Sequence, residues 1–129
     1  MQQQKSNDRF SISKRLKSFT YAVSGIKTAF VSEHNMWLHL AAAVIVVLLG
    51  YLFSITQTQW LFIFMCIGMV IGLELVNTAL EKLCNMIHPQ WDKQIQQIKD
   101  LAAGAVLIAA ITAFVIGLII FLPYFCHFL

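Results

Sequence analysis

The chain has 129 residues, enough for a single domain covering 1–129. Apolar residues make up 59% of it and charged residues only 12%, against roughly 45–50% and about 25% in a soluble globular domain. So few charges cannot cover the large relative surface of a small soluble protein. The composition therefore excludes that class and points to a polytopic membrane protein.

The opening stretch MQQQKSNDRFSISKRLKSF is polar and basic. It carries no apolar segment followed by a small-residue cleavage site, so no signal peptide is expected. A helix is predicted over residues ~8–32, because Ile12, Leu16, Phe19, Val23, Ile26 and Phe30 recur at helical spacing as one apolar stripe. Lys14, Lys17, Ser24 and Lys27 lie off that stripe. Such a helix is expected to rest on the membrane surface, apolar side toward lipid and lysines among anionic headgroups. Glu33 follows at its end, the single acid in that junction.

Three apolar runs come next: Met36–Phe53, Trp60–Leu83 and Leu101–Phe125. Each has roughly the 20 residues a helix needs to cross the hydrocarbon core. Transmembrane helices are predicted over residues ~35–53, ~59–86 and ~97–122. The short connection SITQTQ makes the first two an antiparallel hairpin. Of nine Lys and Arg, six precede the first span, and Lys82, Lys93 and Lys99 bracket the connection between the second and third. The SITQTQ turn and the tail CHFL hold none. With three spans, both basic regions fall on one side, the cytoplasmic side by the positive-inside rule.

The second span carries Glu74, Asn77, Glu81 and Asn85 at spacings of 3, 4 and 4, with Thr78 beside them. On a helix they form one polar face. A carboxylate at membrane depth costs at least ~2.5 kcal/mol even on the most lenient scale, so that face must look inward, toward protein, water or a cation. Three readings stand open on the residues alone: polar glue between helices, a proton-coupled path, and a divalent-cation site, for which two carboxylates facing one way are well suited. At the mouth of the third span lie Lys99 and Asp100, with Asp100 expected in the first helical turn, where a helix favours negative charge. Ala102, Ala103 and Gly104 leave room for close helix approach, and Gly68 and Gly72 form a GxxxG packing pair. Carboxylates for magnesium and lysines for phosphate, all near the cytoplasmic lipid boundary, suggest a soluble phosphate donor meeting a lipid acceptor.

Neither a GxxxxGK phosphate loop nor a GxGxxG turn is present. His34, His39, His88 and His127 show no metal-ligand spacing and read as interfacial polar residues. Cys66, Cys84 and Cys126 read as packing residues, implying neither a disulfide nor a zinc site. The basic excess is small and lies against a membrane, so no nucleic-acid partner is expected.

The run ELVNTALE (Glu74–Glu81), the later KDLAAGAV (Lys99–Val106) and the upstream SGIKTAFVSE (Ser24–Glu33) together resemble the prokaryotic diacylglycerol kinase family, the small bacterial integral-membrane lipid kinases that include undecaprenol kinase. The resemblance covers about Lys14 to Pro123. It implies an all-α membrane protein with an N-terminal amphipathic surface helix and three transmembrane helices. It also implies a homotrimer whose active sites are shared between chains, multi-pass in the bacterial inner membrane, with N-terminus and active site cytoplasmic. The implied reaction is ATP- and Mg²⁺-dependent phosphorylation of a lipid alcohol, undecaprenol or diacylglycerol. By the same resemblance Glu74 is the catalytic base, with Asn77 orienting groups beside it. Glu33 and Glu81 hold Mg²⁺ on the ATP phosphates. Lys99 and Asp100 close the nucleotide site, and Lys14, Lys17, Tyr21, Gln90, Trp91 and Asp92 line its rim. Glu74 and Lys99 face the lipid substrate.

Three departures from the family pattern stand out. Asn85 replaces a frequent aspartate, and Lys14 replaces the arginine of the diacylglycerol kinase branch, losing bidentate geometry. His39 and LAAGAV lean toward the undecaprenol kinase branch. The competing functions are a small proton-coupled transporter using Glu74 as its carrier acid, which needs neither the basic amphipathic helix nor the KD pair, and a membrane scaffold, which leaves two inward acids unexplained.

Overall fold

The computed structural model describes residues 10–129, and all secondary structure among them is helical. The four helices are α1 (Ile12–Ser32), α2 (His34–Leu52), α3 (Gln57–Ile87) and α4 (Lys93–Phe128). The last three are long and apolar enough to cross a membrane. No span has more than 33% of its apolar window buried within the chain, so lipid or other copies must cover most of these side chains.

Helix α1 starts at Ile12, where the Ser11 side chain accepts from the Lys14 amide. The helix was expected from residue ~8 on its stripe; Phe10 is not helical, and positions 8 and 9 lie outside the described residues. Ile12, Leu16, Phe19, Val23 and Ile26 are exposed, and burial begins only at Ala29. One residue, Glu33, separates α1 from α2. Its backbone is extended (φ −123°, ψ 118°), which breaks the helix and turns the chain. Trp37 clamps this elbow: its Nε1 donates to the Phe30 carbonyl at 2.9 Å, and the two rings meet edge-on at 5.1 Å. Ala29 and Met36 are buried on either side of it.

The α2–α3 turn is built from local hydrogen bonds. Ile55 N donates to the Gly50 carbonyl and Ser54 N to the Tyr51 carbonyl, a Schellman closure with Ser54 in the left-handed region (φ 51°). Gly50 is required here, because a Cβ would sit 2.6 Å from the Trp60 ring. Thr56 and Gln59 then cap α3 reciprocally, and Tyr124 of α4 donates to the same Gln59 Oε1 at 2.8 Å. Around this turn Ile55, Ile63, Ile120 and Phe121 form the buried core.

Helix α4 is longer than expected at both ends. Asp92 starts it early, accepting from Gln94 N and Ile95 N. Asp100 therefore lies about two turns into the helix, not in its first turn. At the other end the helix continues through Pro123 to Phe128. Tyr124, Phe125 and Phe128 pack their rings on Phe53 there, holding the last turns in place. Gly68, Gly72 and Gly104 have no atom near a would-be Cβ, so the close approaches expected at these glycines are not made within the chain.

Candidate active site

Helix α3 buries a single face, and that face changes character along its length. Ile63, Cys66 and Val70 lead directly into Glu74, Asn77 and Thr78. At 31 residues α3 is about 46 Å long, against about 30 Å of hydrocarbon. Its polar last turns therefore reach the membrane boundary.

Glu74 is almost completely buried, at 1% exposure. Its Oε2 lies 3.5 Å from Nε2 of His39 on α2, and its Oε1 has no hydrogen-bond partner. The Thr78 hydroxyl donates to the Glu74 backbone carbonyl at 2.9 Å and so leaves the carboxylate untouched. One turn on, Asn77 Nδ2 donates to Glu81 Oε1 at 3.4 Å, while the buried Asn77 Oδ1 is also unpartnered. Two buried acceptors without donors are costly, on the order of 1–3 kcal/mol each. They mark a place built to receive something that donates.

Glu33 comes to this face from the α1–α2 elbow. Burial raises its carboxyl above the ordinary value of 4.5, the negative charges of Glu81 and Glu74 raise it further, and Lys82 opposes them. A hydrogen bond to the Glu81 side chain adds to the rise. Acids from two separate segments thus crowd together with too little positive charge between them. Among the described residues no three His, Cys, Asp or Glu side chains converge into a metal cage.

The remaining predicted residues lie on α1, on α4 and in the α3–α4 connection. Lys99 reaches from α4 to α3, its Nζ donating to Asn85 Oδ1 at 2.6 Å. The neutral amide at 85 therefore has a defined partner. Asp100 accepts from Gln96 on its own helix and is exposed. Asp92 is occupied as the α4 cap, and Gln90 and Trp91 beside it are exposed. Lys14, Lys17 and Tyr21 are exposed on α1. The single chain brings Glu33, Glu74, Asn77 and Glu81 together, and leaves Lys14, Lys17, Tyr21, Gln90, Trp91 and Asp100 exposed.

His39 is the residue that sequence reading passed over as interfacial. Counting outward from the SITQTQ turn places it roughly level with Ile71–Glu74 on the opposite helix, which is the one signal that could have paired it with Glu74. It also borders a cleft of about 420 Å³ between α2, α3 and α4, lined by apolar side chains such as Val46, Val70, Phe114 and Phe121.

Fold and site together define a small helical membrane protein that buries a carboxylate inside its own spans, beside a second pair of acids. A family model for prokaryotic diacylglycerol kinase matches residues 20–121. The undecaprenol kinase of Bacillus subtilis (strain 168) is 38% identical over 115 residues, 89% of this chain and 94% of the relative. A diacylglycerol kinase of Synechocystis sp. is 36% identical over 109 residues, 84% of this chain and 62% of that longer protein. The chain belongs to the prokaryotic diacylglycerol kinase family, a family of lipid kinases. These relatives give no support to the transporter or scaffold alternatives.

Proposed function

We propose that the chain transfers the γ-phosphoryl group of ATP directly to the hydroxyl of a membrane lipid alcohol. The acceptor is undecaprenol, giving undecaprenyl phosphate, or diacylglycerol, giving phosphatidic acid. The observation that carries this reading is the buried Glu74 carboxylate with an unpartnered oxygen, next to the crowded Glu33–Glu81 pair. As the alcohol oxygen bonds to the γ-phosphorus, its proton passes to Glu74 Oε1, and the bond to the bridging oxygen breaks to release ADP. Asn77 donates to Glu81 through its amide, and its Oδ1 is a second buried acceptor without a partner. Glu33 and Glu81 are the residues that would hold Mg²⁺, whose charge offsets that of the transferring phosphoryl group.

A bound cation would favour the ionised form of Glu33. Lys99, already held at the α3–α4 mouth by Asn85, supplies positive charge for phosphate, with Asp100, Lys14, Lys17, Tyr21 and Gln90–Asp92 as the nucleotide rim. Because one chain leaves that rim exposed, the proposed working unit is a homotrimer with sites shared between neighbours. The exposed α1 stripe rests on the membrane surface. The basic segments place the N-terminus and the site on the cytoplasmic face of a bacterial inner membrane.

The test is a mixed-micelle assay with labelled ATP, magnesium and either lipid. Label should reach at least one lipid and be abolished by Glu74→Gln and by Glu81→Gln. Transfer to neither lipid, with ATP binding also absent, contradicts the kinase reading for this chain.

A further inference from the structure

We propose that His39 is a positioning residue for Glu74: it commits one carboxylate oxygen so that the other stays free for the lipid hydroxyl. The inference rests on Glu74 being the base. Glu74 enters a region where its own helix offers it nothing, since Thr78 is turned to a backbone carbonyl and Asn77 to Glu81. A carboxylate buried to 1% exposure with no fixed partner would rotate about its last bonds. His39 Nε2, 3.5 Å from Oε2, is the polar group placed to stop this rotation. An ionised carboxylate only accepts, so the imidazole must present Nε2–H to it. The distance is long for a hydrogen bond, as pairs in ligand-free sites often are. With Oε2 held, Oε1 is the oxygen left without a partner.

His39 is also placed to link base and acceptor. Its side chain is 21% exposed and borders the apolar cleft between the spans. A histidine serving only as an interfacial polar residue would need no carboxylate opposite it. Nor would it explain why one Glu74 oxygen is faced by a donor and the other by none.

The experiment compares His39→Leu, His39→Gln and Glu74→Gln in full-length protein in mixed micelles, with magnesium and the lipid that the wild type phosphorylates. His39→Leu should lower kcat by about 100-fold, the scale of an ångström-sized misplacement, and leave the KM for ATP unchanged. His39→Gln keeps a donor N–H at similar reach and should recover most of that loss. A second readout is independent of turnover: the ¹⁵N imidazole resonances of His39 should report a protonated Nε2 in wild type and shift in Glu74→Gln. Wild-type kcat in His39→Leu, alongside an inactive Glu74→Gln, overturns the inference and leaves Glu74 as base. Equal loss in His39→Leu and His39→Gln, both folded, overturns it too. Full activity in Glu74→Gln overturns the underlying reading, and this inference with it.

Discussion

The two ends of the bundle are built on opposite terms. At the α2–α3 turn every local demand is met. Gly50 admits the Trp60 ring, Thr56 and Gln59 cap each other, Tyr124 bonds to Gln59, and Ile55, Ile63, Ile120 and Phe121 close the core. At the other end, buried acceptors go without donors, and burial together with the charges of Glu81 and Glu74 raises the Glu33 carboxyl. The same helix face of α3 joins the two. One end holds the spans together; the other keeps buried acceptors without donors beside a crowded acid, groups that a cation and a hydroxyl would satisfy under the proposed function.

That contrast can be broken at either end. The largest effect expected is on sharing of sites. Subunits carrying Glu74→Gln, mixed with subunits carrying Lys14→Ala and Lys17→Ala on the rim, should regain a measurable part of wild-type transfer that neither variant shows alone; no recovery would confine the site to one chain. Next in size is the metal requirement. Glu33→Gln should raise the magnesium concentration for half-maximal activity by on the order of tenfold or more, and an unchanged titration removes Glu33 from the metal site.

The same carboxyl gives a pH signature. Its raised value means that its contribution to stability is fully present below the ordinary 4.5 and is lost as pH rises through the folded-state value. The metal-free protein should therefore melt lower as pH rises through that window. Glu33→Gln or added magnesium should flatten the trend. At the opposite end, Gly50→Ala should cost about 1–3 kcal/mol through the clash with Trp60, read as a lower melting temperature, while the folded fraction keeps its KM for ATP.

Much of this was legible in the residues. Span length and the SITQTQ turn define the hairpin, and the 3-4-4 spacing places Glu74 and Asn77 on an inward face, where both are buried. What escaped depends on tertiary register or on competing local signals. The pairing of His39 with Glu74 joins two helices and leaves no trace in either one's periodicity. Asp92 belongs to a helix cap that apolar runs do not register, so those runs alone start α4 too late and put Asp100 in its first turn. Tyr124, Phe125 and Phe128 pack on Phe53 where the helix runs on past Pro123, contacts that join two helices and cannot be read from either alone. The glycines Gly68, Gly72 and Gly104 signal close packing, which a single chain does not use.

The most direct measurement pairs binding with transfer in one variant. Glu74→Gln protein in mixed micelles, given labelled ATP and magnesium, should bind the nucleotide as wild type does and leave the lipid unlabelled. Lipid labelled at the wild-type rate would show that the buried carboxylate takes no part in removing the proton.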